Sequence, residues 1–351
     1  MEHRPAYLRN VWYVAADATE VTRTLKRIRV LGEEIVIYRK ESGEPAALED
    51  ACPHRKLPLS MGRLQGDEVE CGYHGLTFDC AGACTRVPGQ ERIPPSIRVR
   101  SYPVLDRFGL VWIWMGDPAL ASEDKLFPVE HYGEAGWTVS RGAPIDIACN
   151  YLLITDNLLD PSHVAWVHQT SFAAKGTEDT PLAVDAKDDG VVVSRWMLNQ
   201  EVAPLYKPLV PFTGRCDRLQ HYEVRFPSHA IIIAYFTPAG KGGHGKPVPE
   251  DAFFMFSYNF MTPVDEKNTR YYYFQIRNVH PGDLKVSELM ANGVRAAFLE
   301  DKAVLEACEI GLSTATSRTV DLAIDAGPLR FRRLLDKRIE REQGAKAAAA
   351  E

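Results

Sequence analysis

"CPHR" at residues 52–55 and "CGYHG" at residues 71–75 each set one cysteine and one histidine in a short loop, Cys52 with His54 and Cys71 with His74. A soft thiolate and an imidazole from each of two loops make a four-ligand set. Zinc binds two cysteines and two histidines tetrahedrally, but its usual finger spacing places both cysteines in one knuckle and both histidines in another. Here each loop mixes the two donor types.

Mixing is what a Rieske 2Fe-2S centre requires, with two thiolates on one iron, two imidazoles on the other, and one ligand to each iron from each loop. Cys52 and Cys71 would hold the inner iron, His54 and His74 the outer one. Neutral imidazoles in place of anionic thiolates raise the cluster's potential, so it accepts electrons from ferredoxin-like donors. A zinc-stabilised binding module is the alternative. Cys80 and Cys84 in "CAGAC" read as hairpin thiols, and Cys149, Cys216 and Cys308 as buried small hydrophobes.

Around these loops, 351 residues that are 45% hydrophobic suffice for about two domains with real cores. The net charge of -6 without a block of like charges speaks against nucleic acid and anionic membrane surfaces and for a small-molecule or protein partner. Seven cysteines do not make a secreted disulfide framework. The N-terminus lacks an apolar leader, and no stretch of about 18 apolar residues occurs. The chain therefore reads as cytoplasmic, with no membrane segment.

Residues 11–114 carry short alternating apolar runs broken by Gly, Pro and Asp, the pattern of a small all-β domain. The polar, proline-bearing stretch 116–128 is the expected crossover, giving domains at 1–118 and 119–345 and a disordered tail at 346–351. After a helical rhythm at 151–160, runs at 191–199, 218–226, 229–238, 252–263 and 269–279 are rich in β-branched and aromatic residues, which suggests one large antiparallel sheet. Apolar residues every three or four over 283–312 predict a long amphipathic helix, and a basic helix follows. The fold expected is α+β.

"DNLLDPSHVAWVH" gives this second domain a purpose. His163 and His168 follow Asp160, and two imidazoles with one carboxylate form the facial triad of non-haem Fe(II) oxygenases. Five residues along a helix turn through about 500°, so one unbroken helix cannot aim both imidazoles at one metal. Pro161 supplies the break, with Asp160 as cap. The carboxylate chosen is Asp301, flanked by Phe298 and Leu305 on the inward helix face, where an unpaired charge is costly; Glu300 is expected to point outward.

Through "RNVWYVAA", "CPHRKLPLS", "CGYHGLTFD", "GLVWIWMGDP", "DNLLDPSHVAWVH" and "DAGPLRFRRLLDKRI", nearly the whole chain resembles the oxygenase components of Rieske non-haem iron oxygenases. Within them it is most similar to the vanillate O-demethylase group, with toluenesulfonate methyl-monooxygenase and dicamba O-demethylase oxygenases as neighbours. The resemblance implies a helix-grip-like catalytic domain and His163, His168 and Asp301 as iron ligands. It implies a head-to-tail ring, commonly a trimer, in which the Asp160 carboxylate bridges His74 of one subunit to His163 of the next. Asn157 matches a position beside the iron; otherwise it is a helix-surface amide.

The expected reaction uses O2 and a small aromatic acid, by O-demethylation of a methoxybenzoate or hydroxylation of an aryl methyl group. Arg225, His229 and Asn259, polar residues in apolar strand runs, are the substrate-binding candidates. The chain is read as lacking a dinucleotide fingerprint, G-X-G-X-X-G after a strand, so electrons come from a separate flavin and 2Fe-2S reductase. A Rieske electron carrier without oxygenase activity is the competing reading, and it has no use for "DPSHVAWVH" or Asp301.

Overall fold

The computed structural model describes residues 7 to 173, 180 to 242 and 245 to 348. Contacts divide the chain into two units, one of Tyr7–Phe127 with Thr262–Glu266, the other of Pro128–Met261 with the chain from Lys267 onward. The division falls after Phe127 rather than at 118. Residues 117 to 122 belong with the first unit because its tryptophans hold them: Trp114 Nε1 donates to the Asp117 carbonyl at 2.9 Å and Trp12 Nε1 to that of Ser122 at 2.8 Å. A polar, proline-bearing composition cannot reveal two such bonds.

The first unit holds β1 (Trp12–Asp17), β2 (Lys26–Val30), β3 (Glu33–Arg39), β4 (Pro45–Glu49), β5 (Arg63–Gln65) and β6 (Glu68–Glu70). β7 (Thr77–Phe78), β8 (Cys84–Arg86), β9 (Ser101–Tyr102), β10 (Val104–Arg107) and β11 (Leu110–Trp114) complete it. They form small antiparallel sheets in the orders β1-β11-β10, β2-β3-β4-β9 and β5-β6-β7-β8. β3 shows why. Its side chains alternate faces, so Ile35 and Ile37 enter a core with Tyr13 and Ile113, while Val36 and Tyr38 enter a second core with Cys52, Cys71 and Phe78. The two cysteine loops thus sit on a packed wall.

The second unit contributes β12 (Thr138–Arg141), β13 (Ile145–Ile147), α1 (Tyr151–Leu158), α2 (Val164–Val167), β14 (Ala183–Ala186) and β15 (Gly190–Gln200). β16 (Cys216–Arg225), β17 (His229–Pro238), β18 (Phe253–Pro263), β19 (Thr269–Arg277), α3 (Leu284–Thr314) and α4 (Ala326–Ala348) follow. One antiparallel sheet runs β12-β19-β18-β17-β16-β15-β14, with β13 also paired to β19. The strands outside the five expected ones are short and mixed in polarity, too weak a period-2 signal to read. α4 extends into the expected tail as far as Ala348, beyond which the tail lies outside the described residues.

α3 buries Met290, Val294, Ala297, Phe298, Asp301, Leu305 and Glu309, a stripe at intervals of three and four. Phe298 meets the rings of Tyr271 and Tyr273 on β19 at 5.0 and 4.9 Å. Arg332 of α4 grips Asp156 of α1 with two nitrogens, fixing the helix that leads into the histidine segment. The α3 start is fixed by Asp283, whose carboxylate accepts from Lys285 N at 2.9 Å and Val286 N at 3.1 Å, and by buried Arg277, which donates to the Asp283 carbonyl and the Ser287 hydroxyl. Cys149 and Cys216 are buried as expected, but Cys308 is exposed on the outer face of α3.

Removing the cap by Asp283→Ala should cost about 1 kcal/mol. Thermal unfolding should show this as a fall in midpoint of roughly 2–4 °C, with the visible spectrum of the folded protein unchanged.

Candidate metal centres and pocket

The two cysteine loops have the same backbone. Cys52 N donates to the Leu57 carbonyl at 2.9 Å and receives Lys56 N on its own carbonyl at 2.8 Å; Cys71 does the same with Leu76 at 2.7 Å and Gly75 at 3.1 Å. The fourth residue after each cysteine takes a left-handed conformation, Lys56 at φ 60° and Gly75 at φ 70°. Glycine suits the second loop twice over, since a Cβ at Gly75 would also come within 3.1 Å of Pro88. Buried Asp50 ties down the first loop by accepting from Ser60 N and Ser60 Oγ, both at 2.6 Å.

The four donors sort by type and depth. Cys52 and Cys71 are buried. Burial pushes the Cys52 thiol up to about 11, with a hydrogen bond shared with Cys71 adding to it. His54 and His74 are exposed, their rings 4.6 Å apart. Desolvation, then the neighbouring His54 and Arg55, pushes His74 down toward the neutral form that a metal needs. Paired thiols below and paired imidazoles above suit a cluster with one iron of each kind, rather than a single tetrahedral ion. Cys80 and Cys84 take no part: their sulfurs lie near the Asp67 and Arg86 carbonyls.

In the second unit α1 ends at Leu158, as Pro161 requires, and the short α2 runs from Val164 to Val167. His163 and His168 flank α2 at either end. Nη2 of Arg195, on β15, donates to the Pro161 carbonyl at 3.2 Å and holds the bend. His168 Nε2 lies 3.2 Å and His163 Nε2 3.6 Å from the same oxygen of Asp301. These three are the group of His, Cys, Asp or Glu side chains among the described residues whose donor atoms converge within 4.8 Å. Asn157 Nδ2 donates to that Asp301 oxygen at 3.3 Å, so it faces the site and is no surface amide.

Each imidazole is oriented through its other nitrogen. His163 Nδ1 meets the main-chain carbonyl of Asp160, which can only accept, so Nδ1 carries the proton and Nε2 a lone pair. His168 Nδ1 lies 2.8 Å from the Glu300 carboxylate. Glu300 therefore turns toward the site, against the expectation that it points outward; the 100° between successive helix residues leaves a long side chain able to reach back. Desolvation holds His163 below the usual imidazole range, whereas at His168 it is outweighed by Asp301 and then Glu300, which raise it.

The Asp160 carboxylate does not hold His163 in this chain. Oδ1 accepts from Ser162 N at 2.8 Å and from the Ser162 hydroxyl, closing the turn after Pro161, while the main-chain oxygen takes the imidazole.

A pocket with about 570 Å³ of empty space opens onto the three converging side chains. Its sheet wall comes from Arg218, Gln220 and Tyr222 on β16, Ile232 and Ala234 on β17, and Met255 and Ser257 on β18. Register puts these on one face, since Gln220 pairs with Ala234, Tyr222 with Ile232, and Ala234 with Met255. Arg225 pairs with His229, an odd position facing an odd position, so both project from the opposite face and neither lines the pocket. Arg225 instead engages Glu223. Asn259 is on the pocket's face but beyond its end, its amide spent on the Ser257 carbonyl at 2.8 Å and the Tyr271 hydroxyl at 2.9 Å. The alternation Arg218-X-Gln220-X-Tyr222 was the signal in the sequence.

Residues 11–103 match the Rieske [2Fe-2S] domain and residues 147–341 the vanillate O-demethylase oxygenase C-terminal domain. The chain is 39% identical to the toluene-4-sulfonate monooxygenase system iron-sulfur subunit of Comamonas testosteroni, over 97% of this chain and 99% of that one. It is 33% identical to a vanillate O-demethylase oxygenase subunit of a Pseudomonas species, over 97% of each. Dicamba monooxygenase bound to 3,6-dichlorosalicylic acid superposes with a TM-score of 0.88 at 28% identity, over 96% of this chain and 99% of that one.

The cofactors are a Rieske 2Fe-2S cluster and a mononuclear non-haem iron, and no helix among the described residues is long and apolar enough to cross a membrane. With a cluster domain, a converging His-His-Asp group and a pocket on one chain, and with relatives that are oxygenase components, the electron-carrier reading has no place, and the chain belongs to the oxygenase components of the Rieske non-haem iron monooxygenases.

Proposed function

We propose that Cys52, Cys71, His54 and His74 hold the cluster, that His163, His168 and Asp301 hold the mononuclear iron, and that the substrate is a small aromatic acid bearing a methoxy or methyl group. The observation that carries this reading is the convergence of two imidazole Nε2 atoms and a buried carboxylate at the mouth of a largely apolar pocket. Iron so bound supplies activation of O2 for insertion of one oxygen atom into a C–H bond.

The chain's own residues do the rest. The Asp160 carbonyl and Glu300 fix the tautomer and aim of the two imidazoles. Ile232, Met255, Val294 and Phe298 give the pocket apolar walls that exclude water around the substrate ring. A hydroxylated O-methyl carbon is a hemiacetal and collapses to a phenol and formaldehyde; a hydroxylated aryl methyl stays a benzylic alcohol. The test is oxygen uptake with a panel of methoxybenzoates, toluate and toluene-4-sulfonate, in the presence of a reductase, scored for formaldehyde against alcohol. Uptake coupled to one of these products is expected, and uptake indifferent to every aromatic acid would sink the substrate reading.

Electrons reach the cluster from a separate flavin and 2Fe-2S reductase. The spacing G-X-G-X-X-G does occur, at Gly240, Gly242 and Gly245, contrary to the sequence reading. It lies between antiparallel strands β17 and β18, so no helix N-terminus follows it to receive a pyrophosphate, as a dinucleotide site needs.

Copies of the chain form a head-to-tail ring, a trimer by family likeness, in which one chain's cluster serves the next chain's iron. Two unlike exposed faces support it. His74 packs against Tyr73, 54% exposed, with ring centres 3.9 Å apart, while Trp166, between His163 and His168, is 70% exposed. Asp160 Oδ2 has no hydrogen-bond partner among the described residues and is available to a histidine of another copy.

Mixed rings of a Cys71→Ser chain with a His163→Ala chain should regain part of the activity that each lacks alone. No recovery in rings verified to be mixed would rule out transfer between chains. Glu300→Gln should keep the mononuclear iron but release it to a chelator about 10–100-fold more readily, the usual effect of losing such a partner, with the cluster's visible spectrum unaltered. Unchanged release kinetics would deny Glu300 this role.

A further inference from the structure

Arg218 stands on the pocket face of β16, two positions before Gln220 and four before Tyr222. It is 3% exposed. Among the described residues its one hydrogen bond runs from Nη1 to the Phe172 carbonyl at 3.0 Å, and its Nε is buried with no partner. Among the described residues no carboxylate forms an ion pair with it. The adjacent Asp217 projects to the other face, where it accepts from Asn199 N at 2.9 Å and Gly240 N at 2.8 Å. The guanidinium carbon lies 5.6 Å from the Tyr206 ring centre and 5.0 Å from that of Phe236. Two such contacts do not repay the burial of an arginine without a counter-charge.

Asp301 is not the missing partner. Its ionic contacts among the described residues are to His163 and His168. Burial raises the Tyr222 hydroxyl, which lies within the influence of Arg218 and Arg195 and, more weakly, of Asp301; four residues of strand separate Tyr222 from Arg218 by about 13 Å between α-carbons. The pocket lining thus holds a carboxylate that meets two imidazoles and, apart from that group, a cation with no carboxylate partner among the described residues.

We propose that Arg218 recognises the anionic group of the substrate, a carboxylate or a sulfonate, and so turns the opposite end of the molecule toward His163, His168 and Asp301. The proposal rests on the aromatic-acid reading above and adds to it the residue that selects for charge. A planar guanidinium with free donors matches either anion. Arg218 would be merely structural if its sole task were to hold the Phe172 carbonyl, since the Phe172 ring packs 5.6 Å from that of His168.

Calorimetric titration of the anaerobic holoenzyme with 4-methoxybenzoate, toluene-4-sulfonate and the uncharged 4-methoxybenzamide separates these roles. Arg218→Gln should weaken the anion that binds best by about 10–100-fold, the effect of losing a charge-assisted hydrogen bond, and change amide binding less than about threefold. Iron content and cluster absorption should stay at wild-type levels. Arg218→Lys, which keeps the charge but not the fork, should still prefer the anion while binding it more weakly than arginine does; it decides the matter should the glutamine variant not fold. Unchanged anion affinity overturns the proposal, as does an equal loss for anion and amide accompanied by loss of iron, which would make Arg218 a positioning residue for the Phe172 and His168 segment. A wild-type protein that binds none of the three probes instead refutes the aromatic-acid reading, and this inference with it.

Discussion

A carboxylate buried on the inner face of α3 is the constraint around which the second unit is arranged. Asp301 is 6% exposed, and an isolated buried carboxylate costs several kcal/mol unless something positive meets it. No arginine or lysine among the described residues pairs with it; the groups that do approach are the imidazoles of His163 and His168 and the amide of Asn157. A divalent cation held by all three would balance the anion fully. The break at Pro161, the grip of Arg195 on that bend and the Arg332–Asp156 pair between α4 and α1 bring two helix ends to one point on a third helix.

The first unit meets a different demand with the same economy of means. Its cluster needs anionic donors shielded from water and neutral donors near the surface, so that an electron has a way in and out. Alternation along β3 builds the core on which the cysteine loops rest, and the repeated backbone pattern presents one cysteine and one histidine from each loop at matched depths. Lys56 accepts a left-handed conformation where the second loop has Gly75, which shows that the shared loop geometry, rather than local preference, governs both positions.

Much of this was legible in the residues alone. The Cys-X-His and Cys-X2-His loops, the Asp-X2-His-X4-His segment and the position of Asp301 between Phe298 and Leu305 name donor types that few other chemistries need together. Periods of two and of three to four residues identified the sheet strands and the long helix. The pocket was not legible in the same way. Arg225, His229 and Asn259 interrupt apolar runs, but a strand with two faces does not say which of its positions line the pocket. Arg218, Gln220 and Tyr222, equally visible in the same strand, proved to be the ones that do.

The sequence by itself determined the chemistry: which donors exist, how they are spaced and where the helix must break, because these follow from bonding preferences and from backbone geometry within a few residues. Tertiary structure decided orientation. The Asp160 main chain rather than its carboxylate takes His163, and Glu300 reaches a histidine 132 residues away. The pocket lies on the face that carries Arg218 because of cross-strand register from β16 to β18. Each of these depends on atoms brought together from distant parts of the chain, and a periodic pattern fixes only that two faces alternate, not which of them meets the helix carrying Asp301.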